Sequence, residues 1–456
     1  MTISRLALAA AAGLSLLTFA PAFSASALAA EIQLQADLGH SVLSTRKTDR
    51  TYLRLSLKTL AGIRAEKRPP INVALVIDRS GSMSGDRIEA AKQAAHVALD
   101  RLSSDDIVSL VTYNHKVDVV APATRLGSAR QEIERAIDKL AVDGTTALYD
   151  GTKEGGQQVK KFLSDTKVNR VVLISDGLAN VGPSSPGELA ELGRQLAGKG
   201  ISVTTVGLGL DYNEDLMQRL ASASDGNHAF VESPRQLAGI FDKEFGDALS
   251  IAAQDLTIVI ECRAGFKPTR VLGRDAEIAG STIKLKMNQL QADNERYVVI
   301  EMETPSGGKA GDAEVADVKI EYLDLDNGTR SEKQASVRAR LSDDEKDVEA
   351  SINKGVLAQV TAQIATEQNE KAVELRDKGD VSGARKMLQD NAAYIKQSRE
   401  VYSTGSAAAP TASVDVLSDL EAKNEEASKN LDGDAWNKTR KAMRYDQHKA
   451  KVQQKY

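Results

Sequence analysis

The sequence predicts a doubly wound α/β unit with a mostly parallel, Rossmann-like sheet, inserted in an all-β sandwich and followed by a C-terminal helical region. Three observations carry this. Between residues 70 and 250, apolar runs of strand length alternate with helical patterns, as in parallel sheets covered by helices on both faces. On either side of that stretch, apolar and polar residues alternate with period two, the mark of half-buried strands. After Asp343 the apolar spacing changes to three and four, the period of a helix.

At 456 residues the chain exceeds one ordinary core, and two or three units are expected. Its start joins one early charge, Arg5, to an apolar stretch from Leu6 to Ala20 and a small-residue end. This reads as a secretory signal peptide over residues 1–29. Ala27-Leu28-Ala29 fits the cleavage pattern, and Ala25-Ser26-Ala27 fits it two residues earlier. Pro21 interrupts the run before it reaches the roughly 20 apolar residues a spanning helix needs. The expectation is export, to the periplasm or by secretion, of a chain with no integral membrane segment. Cys262 is the only cysteine, so no intramolecular disulfide can form in the oxidising compartment that export implies. With 59 basic and 64 acidic residues the formal net charge is −5, which gives no footprint for nucleic acid.

In residues 30–68, Ile32, Leu34 and Ala36, then Leu53, Leu55 and Leu57, alternate with polar neighbours. Two short strands cannot bury a face alone. They are expected to pair with the strands of residues 251–342, where Leu256, Ile258 and Ile260, Ile283, Leu285 and Met287, and Val318, Ile320 and Tyr322 repeat the pattern. Residues 70–250 would then interrupt one sandwich. Within them INVALVID, IVSLVTY, RVVLISD and ISVTTVGLG are the strands, and RIEAAKQAAHVALDRL is a helix facing inward with Ile88, Ala91, Ala95 and Leu99. Right-handed crossovers should join them.

Residues 343–402 read as helical, with Val348, Ile352, Val356, Val360 and Ile364 forming one stripe at i+4 spacing and a hairpin turning at Lys378-Gly379-Asp380. The hairpin resembles one tetratricopeptide unit, but a single copy cannot stack as a solenoid. Residues 403–413, STGSAAAPTAS, have linker composition. Residues 414–456 read as a charged tail, helical or partly disordered, with the end after Trp436 solvated or frayed.

The chemistry concentrates after the first α/β strand. INVALVID runs straight into RSGSMSGDR, so Asp78, Ser80 and Ser82 lie in one tight loop at the strand's carboxyl end, where ligands bind in doubly wound sheets. Alternate residues of an extended loop point the same way, and Gly81 is expected to let the backbone turn. GTTALYDG adds the Thr146 hydroxyl, and VVLISDG ends a buried strand on Asp176. Two carboxylates and three hydroxyls suit Mg²⁺, which takes octahedral oxygen coordination and keeps several waters.

These residues resemble the von Willebrand factor A domains that carry a metal-ion-dependent adhesion site, whose signature is D-x-S-x-S, then Thr, then Asp. The match is Asp78, Ser80, Ser82, Thr146 and Asp176, and the resemblance covers about 180 residues, including VGLGLDYNEDLMQRLA. Where the family usually has glycine this chain has Thr145, so either threonine could be the ligand; Thr146 keeps the spacing to Leu148 and Gly151. The resemblance implies Mg²⁺, or Mn²⁺ or Ca²⁺, with one coordination position left for an Asp or Glu carboxylate of a protein partner. A wider, architectural resemblance is to bacterial exported proteins with such a domain inserted in a β-sandwich.

Other signals are weaker. Asp324-Leu325-Asp326-Asn327-Gly328 starts like a calcium loop, but its twelfth position is Ala335, and Asn-Gly between alternating segments makes a hairpin turn. The five histidines show no metal-binding spacing, and no nucleophile elbow or phosphate loop is present. The sequence thus predicts an exported, non-enzymatic binding protein. Its rival is an envelope-assembly component in which the metal mainly stabilises the fold.

Overall fold

The computed structural model describes residues 32–46, 48–59, 68–176, 179–210, 212–305, 307, 309–404, 408–452 and 454–455. The expected signal peptide lies outside them. The chain opens with strands β1 (Ile32–Leu38), β2 (Val42–Ser44) and β3 (Arg50–Thr59). The α/β domain follows as β4 (Ile71–Asp78), α1 (Asp86–Arg101), β5 (Ile107–Tyr113), β6 (Val117–Arg125), α2 (Leu126–Asp138), α3 (Leu148–Lys160), β7 (Val168–Ser175), α4 (Pro186–Ala197), β8 (Ile201–Leu208), α5 (Glu214–Ala223), β9 (His228–Val231) and α6 (Leu237–Leu249).

Its sheet has the order β6-β5-β4-β7-β8-β9. Every pairing is parallel except β5 with β6. Apolar runs reveal neither β6 nor the four-residue β9; in β6, Asp118, Val119 and Val120 are exposed, because it forms the sheet edge. Strand β4 is buried along its whole length. Val73, Leu75 and Ile77 join the core beneath α1, α2 and α6, and Ala74 and Val76 join the core beneath α3, α4 and α5. Each buried Val, Leu or Ile of this strand contributes roughly 2 kcal/mol by leaving water, which explains why the run is continuous rather than alternating. A Ser185–Glu188 capping box and Pro186 start α4, satisfying donors that the first turn leaves open.

The chain continues as β10 (Ile251–Cys262), β11 (Lys267–Leu272), β12 (Glu277–Ala279), β13 (Thr282–Gln291), β14 (Glu295–Glu303), β15 (Gly311–Asp324) and β16 (Thr329–Ser342). One sheet has the order β1-β3-β14-β11, and a second has β12-β13-β10-β15-β16-β2. Thus β3 pairs antiparallel with β14 across the intervening α/β domain, from Lys58 opposite Glu295 to Arg50 opposite Glu303. The inward residues of both sheets, among them Leu53, Leu55 and Leu57 and Leu256, Ile258 and Ile260, form one core. The Asp324–Gly328 segment is a hairpin turn between β15 and β16, held by Asp324 accepting from the Asp326 N–H at 2.9 Å and Asn327 Nδ2 at 3.0 Å.

The last layer is α7 (Glu345–Ala350), α8 (Lys354–Asp377), α9 (Val381–Tyr402), α10 (Thr411–Lys429) and α11 (Gly433–Val452). Three expectations are corrected here. The i+4 stripe from Val348 to Ile364 is not one helix: it breaks at residues 351–353, where Ile352 bridges to His40 and Asn353 caps α8 by accepting from the Val356 N–H at 3.1 Å. The linker is shorter than 403–413, since α10 begins at Thr411. Helix α11 is not solvated or frayed. Trp436 is buried in a core with Ala372, Leu388 and Leu431, and α11 packs on α5, β9 and α8. Its charges are spent internally: Arg440 pairs with Glu214, Asp215 and Asp377, and Lys441 with Glu214.

Candidate metal centre

β4 and β7 are neighbours in the sheet, but β4 leads first to β5 on its other side. The crevice beyond their carboxyl ends is therefore a topological switch point. Asp78 ends β4, and Asp176 follows the last residue of β7. Both are 0% exposed.

A line of hydrogen bonds joins Asp78, Ser80, Ser82 and Asp176, its first link made by the Ser80 backbone N–H. Asp78 Oδ1 accepts the Ser80 N–H at 2.8 Å, and its Oδ2 accepts from Ser175 Oγ at 2.6 Å. Ser80 Oγ and Ser82 Oγ are 3.1 Å apart, and Ser82 Oγ donates to Asp176 Oδ1 at 2.9 Å. Arg87 forms an ion pair with the other oxygen of Asp176. The loop is not extended: a 3₁₀ turn over Gly81–Met83 draws the two serines together. The role expected of Gly81 is also corrected, because the positive φ values nearby belong to Gly85 (75°) and Gly144 (74°). Gly81 instead donates its N–H to the Gly144 carbonyl at 3.0 Å.

That bond is one of several that stitch the threonine loop to the site. Asp143 N–H donates to the Arg79 carbonyl at 2.8 Å, and Ala147 N–H to the Asn114 carbonyl at 2.7 Å. The Thr146 N–H donates to Asn180 Oδ1 at 2.8 Å, while its carbonyl accepts from the N–H groups of Asn180 and Val181 at 3.1 and 3.2 Å. Thr146 is buried between the two carboxylate-bearing loops, and Thr145 is exposed. Gly151, one turn into α3, packs under Tyr113: a Cβ there would lie 2.5 Å from the ring.

Electrostatically Arg87 answers Asp176, whereas Asp78 is met by hydrogen-bond donors and a second carboxylate. Burial pushes the Asp78 carboxyl up to about 6, and the neighbouring Asp176 charge adds to the push against the hydrogen bonds from Ser175 and Ser80. A divalent cation set among these oxygens would relieve that cost, since a nearby opposite charge favours ionised carboxylate. The donor set therefore fits a hard cation: carboxylate oxygens and hydroxyls, without thiolate or imidazole. The hydroxyls of Ser80 and Ser82 have each other and Asp176 as partners. His228 is engaged elsewhere, with Thr205 and Tyr212. Sequence reasoning missed Ser175, which becomes visible only when β4 and β7 are set side by side, and Arg87, which lies nine residues beyond Asp78 with no distinguishing motif.

Residues 72–243 match the family model of the von Willebrand factor type A domain. This segment is a von Willebrand factor A-type domain. Solved structures agree on the fold: a von Willebrand factor type A protein from Catenulispora acidiphila superposes with a TM-score of 0.67 at 17% identity, covering 86% of this chain and 97% of that one. The ArnB paralog VWA2 from Sulfolobus acidocaldarius gives 0.62 at 16% identity, covering 91% and 98%. By sequence, the chain is 27% identical over 267 residues to the uncharacterized protein sll0103 of Synechocystis, covering 56% of this chain and 62% of that protein. It is 25% identical over 244 residues to human inter-alpha-trypsin inhibitor heavy chain H3, covering 49% and 27%. The chain thus spans less than two thirds of the length of these curated relatives. VWA domains commonly bind a divalent metal and mediate protein interactions. Among the described residues no helix is long and apolar enough to cross a membrane.

Proposed function

We propose that this is an exported binding protein whose VWA domain, inserted in the two-sheet β unit, captures a protein partner through a divalent cation. Asp78, Ser80, Ser82, Thr146 and Asp176 would hold the ion, Mg²⁺ in the first instance, with Mn²⁺ or Ca²⁺ as substitutes. The observation that supports this reading is the hydrogen-bonded line from Asp78 through Ser80 and Ser82 to Asp176 at the switch point. When bound, the cation offers an electrophilic position that an Asp or Glu carboxylate of the partner completes. The chain's own residues do the positioning. Ser175 and the Ser80 N–H fix the Asp78 carboxylate, and the Asn180 side chain fixes the Thr146 loop. Export through the N-terminal segment, to the periplasm or beyond, belongs to the same proposal.

The test is a crosslinking pull-down from the native cell envelope with the chain from residue 30 onward, with and without EDTA, beside Asp78→Ala. Capture that EDTA and the substitution both abolish supports metal-bridged binding. Capture that survives both favours the second reading, an envelope-assembly component in which the cation only stabilises the fold. That reading draws on the helical layer, whose α11 locks to the VWA domain through ion pairs of Arg440 and Lys441 with Glu214.

A further inference from the structure

Among the described residues, three ionisable groups meet in the hydrogen-bonded line: Asp78, Asp176 and Arg87. The nearby Arg79 is answered by Asp118. Arg87 is the second residue of α1, and its Nη1 pairs with Asp176 Oδ2 and donates to the Ser82 carbonyl at 3.4 Å. Ser82 Oγ already donates to Asp176 Oδ1, so both oxygens of this fully buried carboxylate are engaged. The guanidinium lies against the backbone of Gly209, just past β8, where a Cβ would stand 3.2 Å from Nη2. With its side chain 27% exposed, Arg87 reaches from solvent to the buried carboxylate. Asp78, by contrast, forms no ion pair among the described residues; Ser175 and the Ser80 N–H hold it.

The charges of the line decide what it can accept. Two carboxylates and one guanidinium leave it one negative charge. A divalent cation would turn that into one positive charge, and a single further carboxylate would bring it to zero. Were Arg87 neutral, the two carboxylates would balance a divalent cation by themselves, and no charge would remain to draw a third carboxylate. Arg87 also repels a cation directly and shares Asp176 with it.

We propose that Arg87 sets the ligand preference of the metal centre: it weakens the hold on the divalent cation alone and leaves the loaded crevice one positive charge, which selects a carboxylate. This rests on the metal reading above and extends it to a residue outside the five that would hold the ion. Arg87 is thus a positioning and selectivity residue, acting through Asp176 and through its own charge.

The test is calorimetry of Mg²⁺ binding at pH 7 by the chain from residue 30 onward as wild type, Arg87→Gln and Arg87→Lys. Each is titrated in sodium chloride and in sodium acetate at equal ionic strength, with acetate as the carboxylate probe. In chloride, Arg87→Gln should bind Mg²⁺ at least about tenfold more tightly than wild type, and Arg87→Lys, which keeps the charge, within about threefold of it. Acetate should tighten Mg²⁺ binding by wild type at least about threefold and leave Arg87→Gln unchanged. In EDTA, Arg87→Gln should melt about 5 °C lower, because buried Asp176 loses its cation. A merely structural role for Arg87 would lower the melting temperature and weaken Mg²⁺ together; lower stability with higher affinity separates the two. Should Arg87→Gln fail to fold, the wild type decides: Mg²⁺ affinity unchanged by acetate overturns the inference. Binding by wild type that Arg87→Gln matches or falls below, or an acetate effect equal in the two chains, overturns this inference and leaves the metal reading standing. No Mg²⁺ binding by any of the three chains overturns the metal reading, and this inference with it.

Discussion

Acid should release α11 from the VWA domain before the two-sheet core gives way. His448 and His228 are both 2% exposed where the two meet. The His228 N–H donates to His448 Nε2 at 3.0 Å, so that nitrogen must stay unprotonated, and Ser222 Oγ sits 3.0 Å from His448 Nδ1. Burial, with the Lys451 and Arg296 charges against that of Asp225, holds His448 at about 4. Burial, then His448 and Lys441, holds His228 at about 3. In the unfolded chain a histidine titrates near 6.5. Between these values the released helix binds more protons than the docked one, so docking is strongest above about pH 6.5 and weakens as pH falls toward 4. His448 alone accounts for about 3 kcal/mol at pH 4, at 1.36 kcal/mol per pK unit. Asp225, held at about 2 by the neighbouring Arg296 and Arg274 in spite of burial, loses its contribution only below about pH 4. Native-state hydrogen exchange reads the effect directly. After correction for the intrinsic rate, α11 amides should lose protection about a hundredfold between pH 7 and pH 4, and His448→Gln should remove most of that dependence. Equal protection at the two pH values, or an unchanged slope in His448→Gln, would refute the latch.

Three further outcomes follow from the same contacts. Gly226→Ala would place a Cβ 2.2 Å from the Val203 carbonyl, so thermal unfolding should show a loss of about 2 kcal/mol or more, and an unchanged melting temperature would remove that close approach. Arg440→Ala should cost about 2 to 3 kcal/mol in urea unfolding, because buried Glu214 keeps only Lys441 and Asp215 loses a partner; a cost near zero would mean that solvent already screens the network. Thr146→Ala should weaken Mg²⁺ binding by at least about tenfold and Thr145→Ala by far less; the reverse order would move the ligand to the exposed threonine.

What was legible in the sequence was local. β4 announces itself because both of its faces are buried, and D-x-S-x-S places Asp78, Ser80 and Ser82 within one turn of chain. The mostly parallel sheet followed from strand-helix alternation. What escaped depended on distant partners. β6 carries Pro122 and exposed residues, so its edge position erased the apolar signal. The stripe through Ile352 looked helical, but tertiary contact with His40 pulled that residue into a bridge. The charged end looked solvated because the acids that neutralise Arg440 and Lys441, Glu214 and Asp215, lie more than 200 residues earlier. Ser175 and Arg87 joined the site only once the sheet order was known.

The central claim is that the Asp78 crevice holds a divalent cation, and calorimetry with Mg²⁺ or Mn²⁺ on the wild-type chain, Asp78→Ala and Asp176→Ala tests it most directly. The account predicts saturable binding of one ion by the wild type and its loss in both variants. Indistinguishable titrations of the three proteins would contradict it.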